Sequence, residues 1–446
     1  CPHDFYEHHY LHASTAFYTN WYKRDKTLVV TLDGSGDGVA GSISIGENGK
    51  LERIAALFNY NSICEFYTKI TEHLGMKPMS HEFKVMGMSP YADEKYRQEL
   101  LEVFRGFYEI PEGRPLEIVN QSGRWKWQYF DMFKKELFQK RFDNVAGDVQ
   151  DVYEEVVLQW VRNAIRETGV SDVALSGGGF MNVKLNAKIL DLPELSSLFV
   201  FPSCGDESNA LGAAINAAMD AGFDYKEIEP LDIVYWGPEF SDDEVKQAID
   251  EYLPSEGFAV SRHEDIDEHV GKQLAGGAIV GRMTGRMEWG ARSLGNRSIV
   301  ADPRSQHIIH RINKAIKMRD FWMPFAPAVL EQRADKYFHR DKEFHCPVMT
   351  MAFESKPLAE DEIIAGLHPF DTTARAQLVN ETDHPAFYRM IRSFEEATGV
   401  SGVLNTSFNL HGDAVVCSPE DAIRTLLNSD LDAIQIENYY IKRLRG

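Results

Sequence analysis

The sequence predicts an α/β protein built of two units, and three observations carry that prediction. A strand–loop–helix order runs twice in succession, in DVALSGGGFMNVKLNAKIL (172–190) and SSLFVFPSCGDESNALGAAINAAM (196–219), which is the signature of layered α/β architecture. Ahead of it, TLVVTL leads into DGSGDG (33–38) and then GSISIG, alternating at the period of a strand pair. At 446 residues the chain exceeds one ordinary core. A loop-like passage over Lys226–Pro238 restarts as EFSDDEVKQAIDEYL, so the units are placed at 1–228 and 229–446.

Between the first strands and the first strand–loop–helix unit lies mostly helical sequence. Its clearest member is Asp148–Gly169, whose apolar residues recur at helical spacing and whose end is marked by Gly169. The second half opens with a helix over Glu244–Tyr252 and a strand in GAIVGRM. Gly- and Arg-rich loops follow, and the half closes on PEDAIRTLLNS and LDAIQIENYYIKR, read as helix and strand. No solenoid-period repeat and no low-complexity segment interrupts the chain.

A net charge of −21 argues against a general nucleic-acid binder, whose affinity rests on a broad basic face. No run of 18 apolar residues is present, so no membrane span is expected. The N-terminal residues lack a basic and then apolar signal pattern, and the cysteines (Cys1, Cys64, Cys204, Cys346, Cys417) are scattered and odd in number. Both fit a reducing, cytoplasmic setting.

Against this acidic background, Gly281–Pro327 gathers Arg282, Arg286, Arg292, Arg297, Arg304, Arg311, Lys314, Lys317 and Arg319, with Gly281, Gly285, Gly290 and Gly295 among them. Guanidinium forks bind phosphate and carboxylate oxygens, and glycines let backbone N–H groups approach a ligand, so the segment reads as an anion site. In the first half, His8 and His12 stand four apart, the spacing that sets two imidazoles on one helical face for a single metal; His9 faces elsewhere. Asp33–Gly38 is either an ordinary hairpin turn or a carboxylate–glycine holder for a metal-bound phosphate, with Gly34 and Gly36 giving access. Ser176, Gly177, Gly178 and Gly179 precede a helix and offer bare N–H groups to a phosphate, while Asn182 and Asn186 on that helix are placed to address a sugar or base edge. Asp206, at another strand-to-helix step, is either a helix cap or a hard ligand completing a two-His, one-carboxylate set.

HHYLHA, DGSGDG, EFKVMGMSPY, LSGGGFMN, CGDESNALGAA, GRMEWGARSLGNRSIVADPR, KMRDFWMPFAPAVL and NTSFNLHGDAVVCSPEDA, in this order, resemble the O-carbamoyltransferase family, which includes nodulation-factor, cephamycin and tobramycin carbamoyltransferases. The resemblance covers essentially the whole chain. It implies an actin-like ATPase-superfamily domain, similar to the tRNA threonylcarbamoyl transferases, followed by a YrdC-like α/β domain. By resemblance His8, His12 and Asp206 are metal ligands, with Asp33 a further one, for Fe(II), or alternatively Mn(II) or Zn(II). Family members carry some tens of residues before the HxxxH helix, whereas this sequence starts at Cys1 without Met, so a preceding segment is expected.

The implied activity is that of an ATP-dependent O-carbamoyltransferase. Carbamoyl phosphate and ATP, with Mg(II) for the nucleotide, give carbamoyl-adenylate in the second domain. Arg286, Arg292 and Arg297 hold phosphates there, and Lys317, Arg319, Ser407 and Asn409 resemble the YrdC-like nucleotide and carbamate site. The labile product passes through an enclosed passage to the first domain, where a hydroxyl of a small-molecule acceptor, a natural product or saccharide, takes the carbamoyl group. Asp33, Asp37, His9 and Glu82 are candidates for the base. The sequence leaves the acceptor and the oligomeric state open. Rival readings are an actin-like kinase or nucleotide phosphotransferase, a tRNA threonylcarbamoyl transferase, and a non-catalytic sensor; no nucleic acid or membrane partner is expected.

Overall fold

The computed structural model describes residues 4–22, 24–93, 95, 98–340, 342 and 344–444, so Cys1 lies outside the described residues. Two compact units are present, Cys1–Asp232 and Ile233–Gly446. Both are mixed α/β, the class the sequence predicts.

The first unit is organised by a five-stranded sheet. Its strands are β1 (Lys26–Gly36), β2 (Val39–Glu47), β3 (Lys50–Phe58), β4 (Asp172–Ser176) and β5 (Ser197–Val200), in the order β3-β2-β1-β4-β5. The first three run antiparallel, while β1, β4 and β5 are parallel. That is an antiparallel meander extended by two crossover strands, and it fits the actin-like lobe expected from the sequence. Strand β1 is central, and Thr27–Leu32 is buried on both faces. The near-continuous apolar run TLVVTL therefore reports a sheet covered on both sides rather than a half-solvated strand.

Helix α1 (His8–Tyr18) packs on β1 and on a helix at Asn209–Asp220. Gly212 makes this crossing close, since a Cβ there would lie 2.4 Å from the Leu11 carbonyl oxygen. The long helix spans Phe142–Thr168 and starts six residues before the expected Asp148. It ends on Gly169 in the left-handed conformation (φ 67°), whose N–H closes onto Ile165. Trp160 of this helix is fully buried against Gly41, and its indole N–H donates to the Leu116 carbonyl at 2.8 Å.

The second unit holds an eight-stranded sheet. In chain order its strands are β6 (Phe258–Arg262), β7 (Val280–Met283), β8 (Arg297–Ala301), β9 (Ala326–Leu330), β10 (Gln377–Val379), β11 (Gly402–Ser407), β12 (Ala433–Ile436) and β13 (Tyr439–Arg443), arranged β10-β9-β11-β8-β7-β12-β13-β6. The expected strand in GAIVGRM is β7, and the apolar FAPAVL is the fully buried β9. Phe408, immediately after β11, packs onto Gly281 of β7, where a Cβ would lie 2.5 Å from the ring. Two motifs far apart in sequence, GRM and NTSFN, are thus joined by one aromatic ring.

Phe199 on β5 is fully buried and meets Trp21 edge-on at 4.6 Å. Phe199→Ala is expected to lower unfolding free energy by about 3–5 kcal/mol, the cost of a large cavity in a close-packed sheet face. Urea denaturation followed by far-UV circular dichroism measures this; a loss below about 1 kcal/mol contradicts the packing described.

Candidate functional site

Helix α1 carries both imidazoles. Its N-cap is Glu7, whose carboxylate accepts from the His9 and Tyr10 N–H groups at 3.1 and 2.7 Å and also pairs with Arg53. This fixes the first turn on which His8 sits. Asp33, at the end of β1, and Asp206, in a 3₁₀ turn at Asp206–Ser208, complete the group: one ligand atom from each of His8, His12, Asp33 and Asp206 lies within 4.8 Å of every other.

The separations test whether a metal fits. The two imidazole Nε2 atoms are 3.1 Å apart; Asp33 lies 3.4 and 3.3 Å from His8 and His12, and Asp206 lies 3.5 and 3.7 Å from them. Ligands bound at about 2.0–2.2 Å are separated by roughly 3.0–3.5 Å along a coordination edge, so the set has the span of a single ion. The residues next to the imidazoles suit the same role. His12 Nδ1 lies 3.0 Å from Ser208 Oγ, which leaves Nε2 directed at the carboxylates. His8 Nδ1 lies 3.3 Å from the Asn209 amide nitrogen, and exchanging the two ends of that amide would bring its oxygen, which has no partner as placed, to accept the Nδ1–H that a metal-binding tautomer carries. Two nitrogens and two carboxylates form a donor set for Fe(II), Mn(II) or Zn(II).

Electrostatics bind the cluster together. Burial alone would raise the Asp33 carboxyl, but its contacts with His12 and His8 and the Gly34 N–H at 2.6 Å hold it well below the carboxylate range. Burial would lower His12, yet Asp206 and Asp33 outweigh this and raise it. His9 is the opposite case. It is fully buried, faces Thr31 Oγ1 and the Val39 carbonyl, and is lowered to about 4 by burial and by His12 and His8. His9 is therefore a core residue and not the base considered from sequence. Of the other candidates, Glu82 caps the Met79 N–H at 2.7 Å, and Asp37, exposed, accepts the His8 N–H at 2.9 Å.

The glycines have packing reasons that the sequence did not reveal. A Cβ on Gly36 would lie 2.1 Å from the His8 ring, so Gly36 makes room for a ligand residue instead of contacting a cofactor itself. Gly177 (φ 97°) presses on the Leu32 carbonyl, and Gly179 on the Tyr153 hydroxyl; a Cβ on Gly178 would lie 3.1 Å from the Asp33 carboxylate. Ser176 lies 3.5 Å from His12 Nδ1. Asn182 and Asn186 are corrected from the sequence reading. Asn182 caps the helix Val183–Leu190 and exchanges hydrogen bonds with Gln150, and Asn186 is fully buried with its amide donating to the Phe180 carbonyl. Their amides serve the fold, not a sugar or base edge.

In the second unit the basic segment divides into two groups. Arg297, expected to bind phosphate, is fully buried and donates to the carbonyls of Thr284, Gly285, Asn296 and Pro238 at 3.0–3.2 Å. Arg286 donates to the carbonyls of Trp236 and Gly237. Both brace the 236–238 segment, so neither guanidinium is directed at a ligand. Arg282, Arg304 and Arg311 pair with Asp267, Asp302 and Asp432. Glu288 shapes the loop between the arginines, one of its oxygens accepting from the Leu294, Asn296 and Arg297 N–H groups at 2.7–3.0 Å.

The second group is different. Lys317 Nζ, which is buried, donates to Ser407 Oγ at 3.1 Å and to the backbone and side-chain oxygens of Asn409. Arg319 donates to Thr406 Oγ1 and the Pro324 carbonyl and lies over the Phe325 ring. Arg292 and Arg375 complete the group: Arg292 disfavours the charge on Arg319, and Arg292 and Arg319 disfavour that on Arg375. None of the four pairs with a carboxylate among the described residues. Burial lowers Arg292 and Arg319 to about 10; burial, with Arg319 nearby, lowers Lys317 to about 7; Arg375 falls well below its ordinary value. The Arg375 Nε is buried without a hydrogen-bond partner. Sequence reasoning missed Arg375, Ser208 and Asn209. The sign for Arg375 was a lone cation in the mostly apolar run ARAQLV, beside strand β10.

Fold and clusters define a two-unit α/β enzyme with a metal-ligand group in one unit and an uncompensated cation group in the other. The family models for the carbamoyltransferase N-terminus and C-terminus match residues 1–215 and 271–443. An uncharacterized protein of Methanocaldococcus jannaschii is 32% identical over 462 residues, covering 98% of this chain and 73% of that protein. The nodulation protein NolNO of Sinorhizobium fredii is 32% identical over 98% of this chain and 64% of its own length. The 3′-hydroxymethylcephem-O-carbamoyltransferase of Streptomyces clavuligerus is 30% identical over 61% of this chain and 49% of its own. The chain belongs to the carbamoyltransferase family and is an enzyme that transfers carbamoyl groups. No described helix is long and apolar enough to cross a membrane.

Metal content tests the first cluster. The purified enzyme is expected to retain about one divalent transition metal per chain by plasma mass spectrometry, and His12→Ala to retain less than a tenth of that. Ser208→Ala, which removes only the hydroxyl beside His12, should weaken metal affinity about 10–100-fold in a chelator competition. Equal retention by all three proteins contradicts the assignment.

Proposed function

We propose that the chain is an ATP-dependent O-carbamoyltransferase that makes carbamoyl-adenylate in its second unit and carbamoylates a small-molecule hydroxyl in its first. The observation that carries this reading is the group Arg292, Lys317, Arg319 and Arg375, a buried lysine and three half-buried arginines with no carboxylate partner among the described residues. Buried charges without counter-charges are costly, and the ligand that relieves them is a polyanion. The family and the relative named as a cephem O-carbamoyltransferase supply the group transferred and the kind of acceptor atom.

In this reading carbamoyl phosphate and water give carbamate and phosphate. A carbamate oxygen then attacks the α-phosphorus of ATP, the bond to the pyrophosphate oxygen breaks, and carbamoyl-adenylate forms. Arg292, Arg319 and Arg375 neutralise charge on the departing pyrophosphate, at about 2.7–4 kcal/mol per donor removed. Ser407 and Asn409 orient Lys317, and Thr406 with the Pro324 carbonyl holds Arg319 over Phe325.

In the first unit His8, His12, Asp33 and Asp206 would hold the divalent metal, which supplies Lewis acidity toward a phosphate or carbonyl oxygen. Ser208 and Asn209 fix the imidazole orientations. The acceptor hydroxyl attacks the carbonyl carbon and AMP leaves; Asp37, exposed and bonded to the His8 N–H, would take the proton. The acceptor is a natural product or a saccharide.

Mass spectrometry of the enzyme with ATP, carbamoyl phosphate and divalent metal, without acceptor, tests the scheme. Wild type and His8→Ala should make carbamoyl-adenylate, while Arg319→Ala and Arg375→Ala should fall at least a hundredfold. Accumulation of ADP in place of AMP and pyrophosphate overturns it in favour of a kinase.

Proton linkage gives an independent check. Free Lys317, lowered to about 7, is largely neutral at pH 8. A bound polyanion favours the charged form, so binding takes up a proton and affinity falls as pH rises through 7. Calorimetry in buffers of different ionisation enthalpy should show proton uptake at pH 8 and none at pH 6; Lys317→Met should abolish the difference.

A further inference from the structure

Near the metal cluster, the first unit exposes aromatic surface that the chemistry above does not use. The Trp125 and Trp127 rings are parallel, 5.3 Å apart, and Tyr60 meets Trp125 edge-on at 4.9 Å. Trp127 is 64% exposed and Trp125 39%. The surface is held in place. Asn120, itself buried, donates its amide to the Tyr60 and Arg124 carbonyls, both at 3.0 Å, and its N–H to Asn61 Oδ1 at 2.9 Å; the Trp125 N–H is capped by Gln128 Oε1 at 2.8 Å.

Its position follows from the neighbouring bonds. Ser62, two residues beyond Tyr60, donates its hydroxyl to the Asp33 carbonyl at 3.3 Å. Lys126, between the two tryptophans, donates to Glu65 Oε1 at 2.6 Å, and that same oxygen lies 3.7 Å from where a side chain on Gly34 would begin. The aromatic rings and the ligand Asp33 therefore share the same end of β1.

We propose that Tyr60, Trp125 and Trp127 form the acceptor platform of the first unit and that its ligand is a pyranose ring of a saccharide. This rests on the carbamoyl-transfer reading and names the class of acceptor. A flat, fixed indole surface bordered by a Lys–Glu pair matches a sugar ring, whose C–H face is apolar and whose rim is hydroxylated. Indoles give large contact area for little lost rotamer freedom, and the charged pair beside them supplies a donor and an acceptor for hydroxyls. A purely apolar acceptor would leave Lys126 and Glu65 without a role at its edge.

Isothermal titration of the full chain with chitotetraose, cellotetraose and maltotetraose, and with 1-naphthol as an apolar planar probe, tests this. At least one tetrasaccharide should bind wild type. Trp127→Ala should weaken it at least tenfold and Trp127→Phe by less, while carbamoyl-adenylate formation without acceptor stays at the wild-type rate in both. Absence of saccharide binding by wild type, equal binding by Trp127→Ala, or binding of 1-naphthol alone overturns the proposal. Each of these leaves the carbamoyl-adenylate assay intact, whereas failure of wild type in that assay defeats the functional reading regardless of the titrations.

Discussion

A single carboxylate at the end of a buried strand organises the first unit. Asp33 sits where β1 emerges from between two helical layers, and its oxygens face His8, His12 and the Gly34 N–H. Because β1 is central, with β2 on one side and β4 on the other, every loop that leaves this end of the sheet starts from a fixed position. The glycine after β4 presses on β1, the 3₁₀ turn after β5 presents Asp206, and α1 lays its two imidazoles across the top. Gly36 and Gly212 remove the side chains that would keep α1 away. The charge of Asp33 is kept in place by its neighbours, and the neighbours are kept in place by the sheet.

The second unit treats cations in two opposite ways. Arg297 donates to four carbonyl oxygens and Arg282 pairs with Asp267, so the terminal nitrogens of each find acceptors within the fold. Arg292, Arg319 and Arg375 are gathered with Lys317 and given no carboxylate among the described residues. In a low-dielectric site, like charges repel strongly and desolvation adds to the cost. A fold keeps such an arrangement only where rigid supports hold it. The supports here are the Glu288 carboxylate, which fixes the loop before Arg297, and the Ser407, Asn409 and Thr406 side chains at the end of β11.

Much of this was legible in the sequence. The α/β class followed from repeated strand–loop–helix order, and the family motifs ran the length of the chain. His8, His12, Asp33 and Asp206 were named from spacing and resemblance, and the fold brings them together. What the sequence did not show is how each cation would be partnered. Arg286, Arg292 and Arg297 look alike in GRMEWGARSLGNRS, and only the positions of the 236–238 carbonyls separate two structural arginines from the third. Arg375 lies far along the chain and is brought to the group by β10. Asn182 and Asn186 illustrate the same limit, since an asparagine four residues from another reads equally as a ligand contact or as a cap with a buried donor. His9, between two candidate ligands, was likewise separable from them only by burial.

The four uncompensated cations also change what it means for the second unit to be folded. On the proposed reading, a polyanion that enters this group stands in for counter-ions that the described residues do not provide, so occupancy and conformational stability become a single thermodynamic quantity. The resting protein is correspondingly the less stable form. On the same reading, its lifetime against unfolding and proteolysis would follow the supply of ATP and carbamoyl phosphate, and a shortage of them would lower the amount of enzyme as well as its rate.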